Sequence, residues 1–268
     1  MRNRPRLLDG IPEPWAVEWG RDRHGLFMSF AIDECVQKLR YIPPGRILMG
    51  SPESEVGRFP DEGPQHEVEL TQGYWLADTP CTQALWQSVM GQNPSHFQGS
   101  NRPVEQVSWE DCQEFVRRLN EREPGLQARL PSEAAWECAC RAGTSGATWR
   151  GELDLQHDGS ASILEPIAWY RRNSGDETKP VRGKAANPWG LYDMLGNVWE
   201  WCQDYLGAYE AGACIDPTGA PMGRSRVRRG GSWRGNAQRE RSALRDGYSP
   251  DLRNLNLGFR LARGQGDG

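Results

Sequence analysis

The order of local signals along the chain predicts an α+β fold with a small antiparallel sheet. Three observations carry it. Strand-like apolar runs occupy the first 80 or so residues, three capped helical periods follow, and residues 144–268 break into short runs punctuated by Gly, Pro and Asn. No internal repeat is visible. At 268 residues the chain is long enough to bury a sizeable core as one large domain or two small ones. Its 31 Gly and 19 Pro predict many turns, and its 12 Trp predict a well-packed, loop-rich body, since indoles need burial or a partner.

Residues 1–40 read as a lead segment and 41–268 as the main domain. Within the lead, Gly25-Leu-Phe-Met-Ser-Phe-Ala-Ile has the composition of a strand. Arg40 to Ser51 reads as a strand broken at Pro43-Pro44-Gly45, and residues 52–65, polar and acidic, as a loop. His66-Glu-Val-Glu-Leu-Thr alternates as a half-buried strand does, and Gly73-Tyr-Trp-Leu-Ala continues in that style. Thr82 can cap a helix over 83–90. Ser108-Trp-Glu-Asp111 is a capping-box pattern, after which Trp109, Cys112, Phe115, Val116 and Leu119 recur at helical spacing. Ser132 caps a third helix over 133–141, which Gly143 ends.

Composition excludes several classes. No run approaches the ~18 apolar residues of a membrane span. Met1-Arg-Asn-Arg-Pro-Arg6 has no apolar stretch behind it, which excludes a secretory signal and predicts a cytoplasmic protein. Seven cysteines, an odd count without a CxxC, exclude a complete disulfide framework or zinc ribbon and read mostly as small buried residues. Four scattered histidines make no i,i+4 pair, and there is no GxGxxG, P-loop, HExxH or Gly-x-Ser-x-Gly. From Arg224 to Arg263, eleven Arg stand against Glu240, Asp246 and Asp251, inside a chain whose net charge is −4. Nucleic acid is one partner for such a tail. Structural use of Arg, paired with the acidic remainder, is the reading preferred here.

The informative segment is Asn187-Pro-Trp-Gly-Leu-Tyr-Asp-Met-Leu-Gly-Asn-Val-Trp-Glu-Trp201. With Arg129-Leu-Pro-Ser-Glu-Ala-Ala-Trp-Glu137, Gly230-Gly-Ser-Trp233 and Leu257-Gly-Phe-Arg260, it resembles the formylglycine-generating-enzyme (sulfatase-modifying factor) family over roughly residues 41–263. The resemblance implies a C-type lectin-like fold of that subtype, with small antiparallel sheets, two or three helices and much irregular structure. The family's enzymes oxidise a substrate cysteine with paired cysteines after Gly-Gly-Ser. Here Trp233 to Arg245 holds no cysteine, so the copper-thiolate site lacks its soft ligands, and Cys202 and Cys214 are the nearest in sequence. The histidine cluster of the iron enzymes on this fold is absent too. The resemblance also implies a calcium loop at Asp193, Gly196, Val198 and Glu200, with carboxylate and carbonyl oxygens suited to a hard cation. The family's other calcium loop has no clear counterpart between Tyr170 and Val181. Calcium is thus the one cofactor left open, and none is required.

The tail from Gly231 to Arg260 resembles the variable region of diversity-generating-retroelement variable proteins, which use the same lectin fold. In that family a template rich in Asn codons is copied with errors at adenine. The matching positions are Arg234, Gly235, Asn236, Arg239, Leu244, Asp246, Gly247, Tyr248, Ser249, Leu252, Asn254, Leu255 and Asn256. Asn codons end in a pyrimidine, so adenine errors cannot give Met, Trp, Gln, Lys or Glu, and none of these positions holds one. Glu240 is then a fixed position. Trp233, Ser242, Ala243, Pro250 and Phe259 are expected as packed anchors, with Arg241, Arg245, Arg253 and Arg260 paired underneath. The resemblance implies a non-enzymatic binding protein, with a protein ligand on the face formed by 234–256. The lead segment resembles the leader of bacterial variable proteins, which leaves open an extra strand pair or a docking element for a second protein.

Overall fold

The computed structural model describes residues 12–264. Met1 to Arg6 and the last four residues lie outside them. The elements are β1 (Glu18–Asp22), β2 (Gly25–Ile32), β3 (Cys35–Ile42), β4 (Gly45–Met49), β5 (His66–Leu70), β6 (Tyr74–Ala77), α1 (Gln83–Met90), α2 (Trp109–Arg122), β7 (Ala128–Arg129) and α3 (Glu133–Arg141). Then follow β8 (Trp199–Tyr205), β9 (Cys214–Ile215), β10 (Arg226–Arg229), β11 (Arg245–Tyr248), β12 (Leu257–Phe259) and β13 (Ala262–Arg263).

Caps set the helices as their sequences predict. The Thr82 hydroxyl accepts from Leu85 N–H, Ser108 and Asp111 form a reciprocal box, and Ser132 accepts from Ala135 N–H. The third helix ends one residue earlier than Gly143 suggests, on Ala142 in the left-handed region at φ 47°. The Pro43-Pro44 break separates β3 from β4.

Three sheets carry the body, ordered β1-β2-β3-β6-β13-β7, β11-β10-β8-β12 and β4-β5-β9. Most pairs are antiparallel, but β12 runs parallel to β8 and β9 parallel to β5. The first sheet packs on α1 and α2, where Met28, Phe30, Leu39, Trp75, Trp86, Phe115 and Phe259 are buried together. A second core surrounds α3 with Trp136, Tyr170, Met194 and Cys202.

From Glu18 onward the lead segment is part of the main sheet, supplying β1, β2 and β3, while residues 1–11 lie outside the described residues. Position 40 lies inside β3, which pairs with β6 from Leu39 to Ile42, so no structural boundary falls there. The acidic loop 52–65 also differs from its sequence reading. It looks solvated by composition, yet the side chains of Glu55 and Glu62 are buried, because Arg241 from the C-terminal region reaches both.

Candidate functional site

The C-terminal region begins on β10 at the centre of the second sheet. Gly230 and Gly231 then turn the chain at φ 96° and 72°. A Cβ on Gly231 would lie 2.2 Å from a Glu240 carboxyl oxygen, so only glycine fits there. Trp233 follows, 5% exposed, its ring edge against Phe97 with centroids 5.4 Å apart. The chain next runs through a 3₁₀ turn at Ala237–Arg239, β11, and a loop over 249–256 into β12.

The backbone of this region is held from outside it. Trp233 N–H donates to Asn197 O at 2.8 Å, Ala237 N–H to Gly159 O at 3.1 Å and Ser242 N–H to Ala147 O at 2.8 Å. Gly235 O accepts from Arg171 N–H at 2.8 Å, Asn254 O from Gln106 N–H at 3.0 Å and Asn256 O from Trp199 N–H at 2.8 Å. Pro250 O accepts from Trp109 N–H at 2.9 Å, and Leu255 O from the Trp233 indole at 3.2 Å. Main-chain bonds of this kind survive a change of side chain.

Beneath lies a layer of buried ion pairs. Arg241 donates to Glu55 at 2.6 Å and to Glu62 at 2.7 Å. Arg245 forks onto Glu133 at 2.8 and 2.7 Å. Arg260 forks onto Glu200 with two bonds of 2.6 Å, and the Trp136 indole donates to the same carboxylate at 2.6 Å. Glu137 takes Arg141 at 2.8 Å and also Arg229. Burial pushes the Glu137 carboxyl up, and the charges of Arg141 and Arg229 outweigh that, leaving it below its ordinary range. Arg253 forks onto Asp111 at the surface, with two bonds of 2.7 Å. Arg228 lies between Trp199 and Tyr248, 4.4 and 3.5 Å from the ring centroids, and pairs with Asp246 at 2.5 Å.

The sequence-predicted positions divide. Arg234, Asn236, Arg239 and Ser249 are exposed, while Asp246, Tyr248, Leu252, Asn254, Leu255 and Asn256 are half-buried. Leu244 is a correction. It is 2% exposed and packs in the first core, because it sits between Ala243 and Arg245 in the fully buried run from Glu240 to Arg245. Gly235 and Gly247 are crowded rather than free. A Cβ on Gly235 would lie 2.5 Å from Glu240 Oε1, and one on Gly247 2.8 Å from Leu206. Among the expected anchors, Trp233, Ser242, Ala243 and Phe259 are buried and Pro250 is half-buried. Glu240 is fully buried, accepts Ser232 N–H at 3.2 Å, and is pushed well above the usual carboxylate range by burial.

The calcium positions do not fit an ion as they stand. Both Glu200 oxygens are committed to Arg260, an internal cation. The Asp193 carboxylate accepts from Arg182 N–H at 2.8 Å and Asn197 Nδ2 at 3.2 Å, and burial raises it to about 6. Among the described residues no group of three His, Cys, Asp or Glu could hold a metal.

Thiols stand away from the face. Cys202 is buried in β8, and burial pushes its thiol well above the usual range. Cys214 is half-buried in the third sheet. Cys140 does touch the region, its Sγ 3.6 Å from the Ser242 hydroxyl, but it is buried and its thiol is raised by burial to about 12. None is a ready thiolate.

A feature that sequence reasoning missed is Glu105. It is fully buried beside the Phe97–Trp233 contact, accepts Phe97 N–H at 2.8 Å through one oxygen, and has no partner on the other. Burial raises its carboxyl from 4.5 to about 7. The folded form therefore binds this proton more tightly than the unfolded chain. The associated stability is complete below about pH 4.5 and declines as pH rises to about 7. Glu105→Gln is expected to make that decline shallower and to raise stability at pH 8, as read from urea midpoints across pH 4.5–8.

Residues 28–265 match the model of the sulfatase-modifying factor enzyme 1-like domain family. The formylglycine-generating enzyme of Mus musculus is 32% identical over 206 residues, which are 74% of this chain and 53% of that protein. The formylglycine-generating enzyme of Streptomyces coelicolor is 34% identical over 189 residues, 67% of this chain and 58% of that protein. The chain thus spans little more than half the length of these relatives. Among solved structures, Treponema denticola variable protein 1 superposes with a TM-score of 0.76 at 29% identity, covering 88% of this chain and 98% of that one. PvdO from Pseudomonas aeruginosa follows at 0.73 and 26%, covering 88% and 97%. The similarity to a variable protein and to formylglycine-generating enzymes agrees with the two sequence resemblances, and no helix among the described residues is long and apolar enough to cross a membrane. The chain belongs to the sulfatase-modifying factor enzyme 1-like family and has the C-type lectin-like α+β fold of the formylglycine-generating-enzyme type.

Proposed function

We propose that this protein is a non-enzymatic binding protein that displays a diversified face, residues 234–256 without Leu244, for recognition of a protein ligand. The observation that carries this reading is the separation of the two roles in one stretch. Framework bonds and buried arginines hold the backbone, while most Asn-codon-compatible positions reach solvent. Tyr248, Leu252 and Leu255 supply apolar area, and Arg234, Asn236, Arg239 and Ser249 supply adaptable polar contacts, a composition suited to a paratope.

The DNA locus tests it. The reading expects a neighbouring reverse-transcriptase gene and a near-copy of the region differing only at adenines. A locus with neither contradicts it. The second reading is an oxidoreductase of the formylglycine-generating type, favoured by identity to enzymes of that name. Turnover of a Cys-containing peptide with copper and oxygen, abolished in Cys202→Ser or Cys214→Ser, would establish that reading instead.

A further inference from the structure

We infer that the ligand segment bound by this sequence variant is an acidic polypeptide, gripped by Arg171, Arg234 and Arg239. The inference rests on the binding-face reading above and concerns the chemistry of the partner.

The framework arginines of the C-terminal region are already spent on the fold. Arg241, Arg245 and Arg260 lie on carboxylates, and Arg226 lies between Trp109 and Tyr205 with ring-centroid distances of 3.9 and 3.4 Å. Arg234 and Arg239 differ. Both are exposed, both occupy Asn-codon-compatible positions, and neither meets a carboxylate among the described residues. The Arg239 guanidinium makes no ion pair among the described residues; it lies 5.7 Å from the Phe59 ring centroid, and its charge also acts on the buried Glu240 carboxyl. Arg171 joins them from outside the variable stretch. Its N–H holds Gly235 O at 2.8 Å, and its exposed side chain has no ionic partner among the described residues. A Cβ on Gly235 would lie 3.4 Å from Arg239 Cβ, so the backbones of all three arginines lie beside one residue, with Arg234 its neighbour in sequence and Arg171 N–H on its carbonyl.

Nearby acids do not cancel this charge. Asp158 is taken by Arg172 at 3.1 Å. Glu240 is buried beneath the surface, and burial pushes its carboxyl well above the usual carboxylate range against the opposing charge of Arg239. Asp176 is exposed near Trp233 O, its N–H bonded to the Ser174 hydroxyl that holds that carbonyl. Of these acids only Asp176 is both exposed and without an ion pair among the described residues, so three exposed arginines leave a local excess of positive charge at the surface.

Arg forks recognise carboxylates in pairs. Tyr248, Leu252 and Leu255 supply apolar area elsewhere on the same face, and much of the tail's remaining positive charge, on Arg229, Arg241, Arg245 and Arg260, is neutralised internally. A nucleic acid needs a run of phosphate contacts. An acidic segment with apolar side chains matches both parts of the face.

A phage library of random dodecapeptides, panned on the full chain and on R234S/R239S, tests this. Both substitutions lie at solvent-exposed sites, and equal melting curves confirm that the variant folds. The expected result is about two- to threefold enrichment of Asp and Glu in peptides selected on the parent, lost on the variant. Selected peptides without acidic bias, or with a bias that persists on the variant, overturn the inference and leave the binding face intact. No enrichment on the parent removes the binding-face reading as well. Tight binding of a single-stranded 20-mer DNA probe that weakens steeply with salt would identify the wrong class of ligand and also overturn it.

Discussion

Replacing Glu137 by Ala is expected to lower stability by about 3–5 kcal/mol, among the largest effects of any single substitution in this chain. Glu137 is fully buried on α3 between Arg141 and Arg229, which are 1% and 0% exposed. It also accepts Gly50 N–H at 2.9 Å, tying the loop after β4 to the helix. Removing the carboxylate leaves two buried guanidinium groups facing each other without a counter-charge. Glu133 is within 3.5 Å of Arg229 but is already forked by Arg245, so it compensates only in part. The gross attraction in such a cluster is largely offset by desolvation. The predicted loss therefore comes from the charges left uncompensated, and Glu137→Gln should retain more stability than Glu137→Ala. Thermal melting checks both, with a Tm drop on the order of 10 °C for Ala.

Leu244→Ala is expected to cost about 2–5 kcal/mol, whereas Leu255→Ala should cost about 1 kcal/mol or less. Both leucines occur at positions that a diversifying template could alter, but only Leu255 reaches solvent. Leu244 packs in the first core with Trp199, Leu257 and Phe259. Its truncation leaves a cavity in a close-packed interior. If the two losses are equal, the partition of this region into framework and display is wrong at its clearest point.

Much of the scaffold was legible in the sequence because its signals are local. The caps at Thr82, Ser108 and Ser132 need only neighbouring residues, as does the Pro43-Pro44 break. The partners of the arginines were not legible. The charge imbalance favoured pairing with the acidic remainder over a nucleic-acid partner, but Arg241 meets Glu55 and Glu62 across 186 and 179 positions of sequence, and no local pattern encodes that. The same long-range pairing made loop 52–65 look solvated when two of its carboxylates are buried. Codon compatibility marked candidate display positions but says nothing of which way a side chain points. Leu244 fits the codon rule and is buried, and Gly235 fits it and is blocked by Glu240. The residues proposed for calcium were nameable from their loop, but the occupation of Glu200 by Arg260 depends on two strands, β8 and the end of β12, meeting in parallel.

The account claims that the backbone of residues 234–256 keeps its shape while its outward side chains change. The direct measurement is a melting survey of variants with positions 234, 236, 239, 246, 248, 249, 252, 254, 255 and 256 changed together, drawn from the residues that adenine errors in Asn codons allow. The account predicts that most variants fold and melt within about 5 °C of the parent. Cooperative unfolding lost in most of them would contradict it.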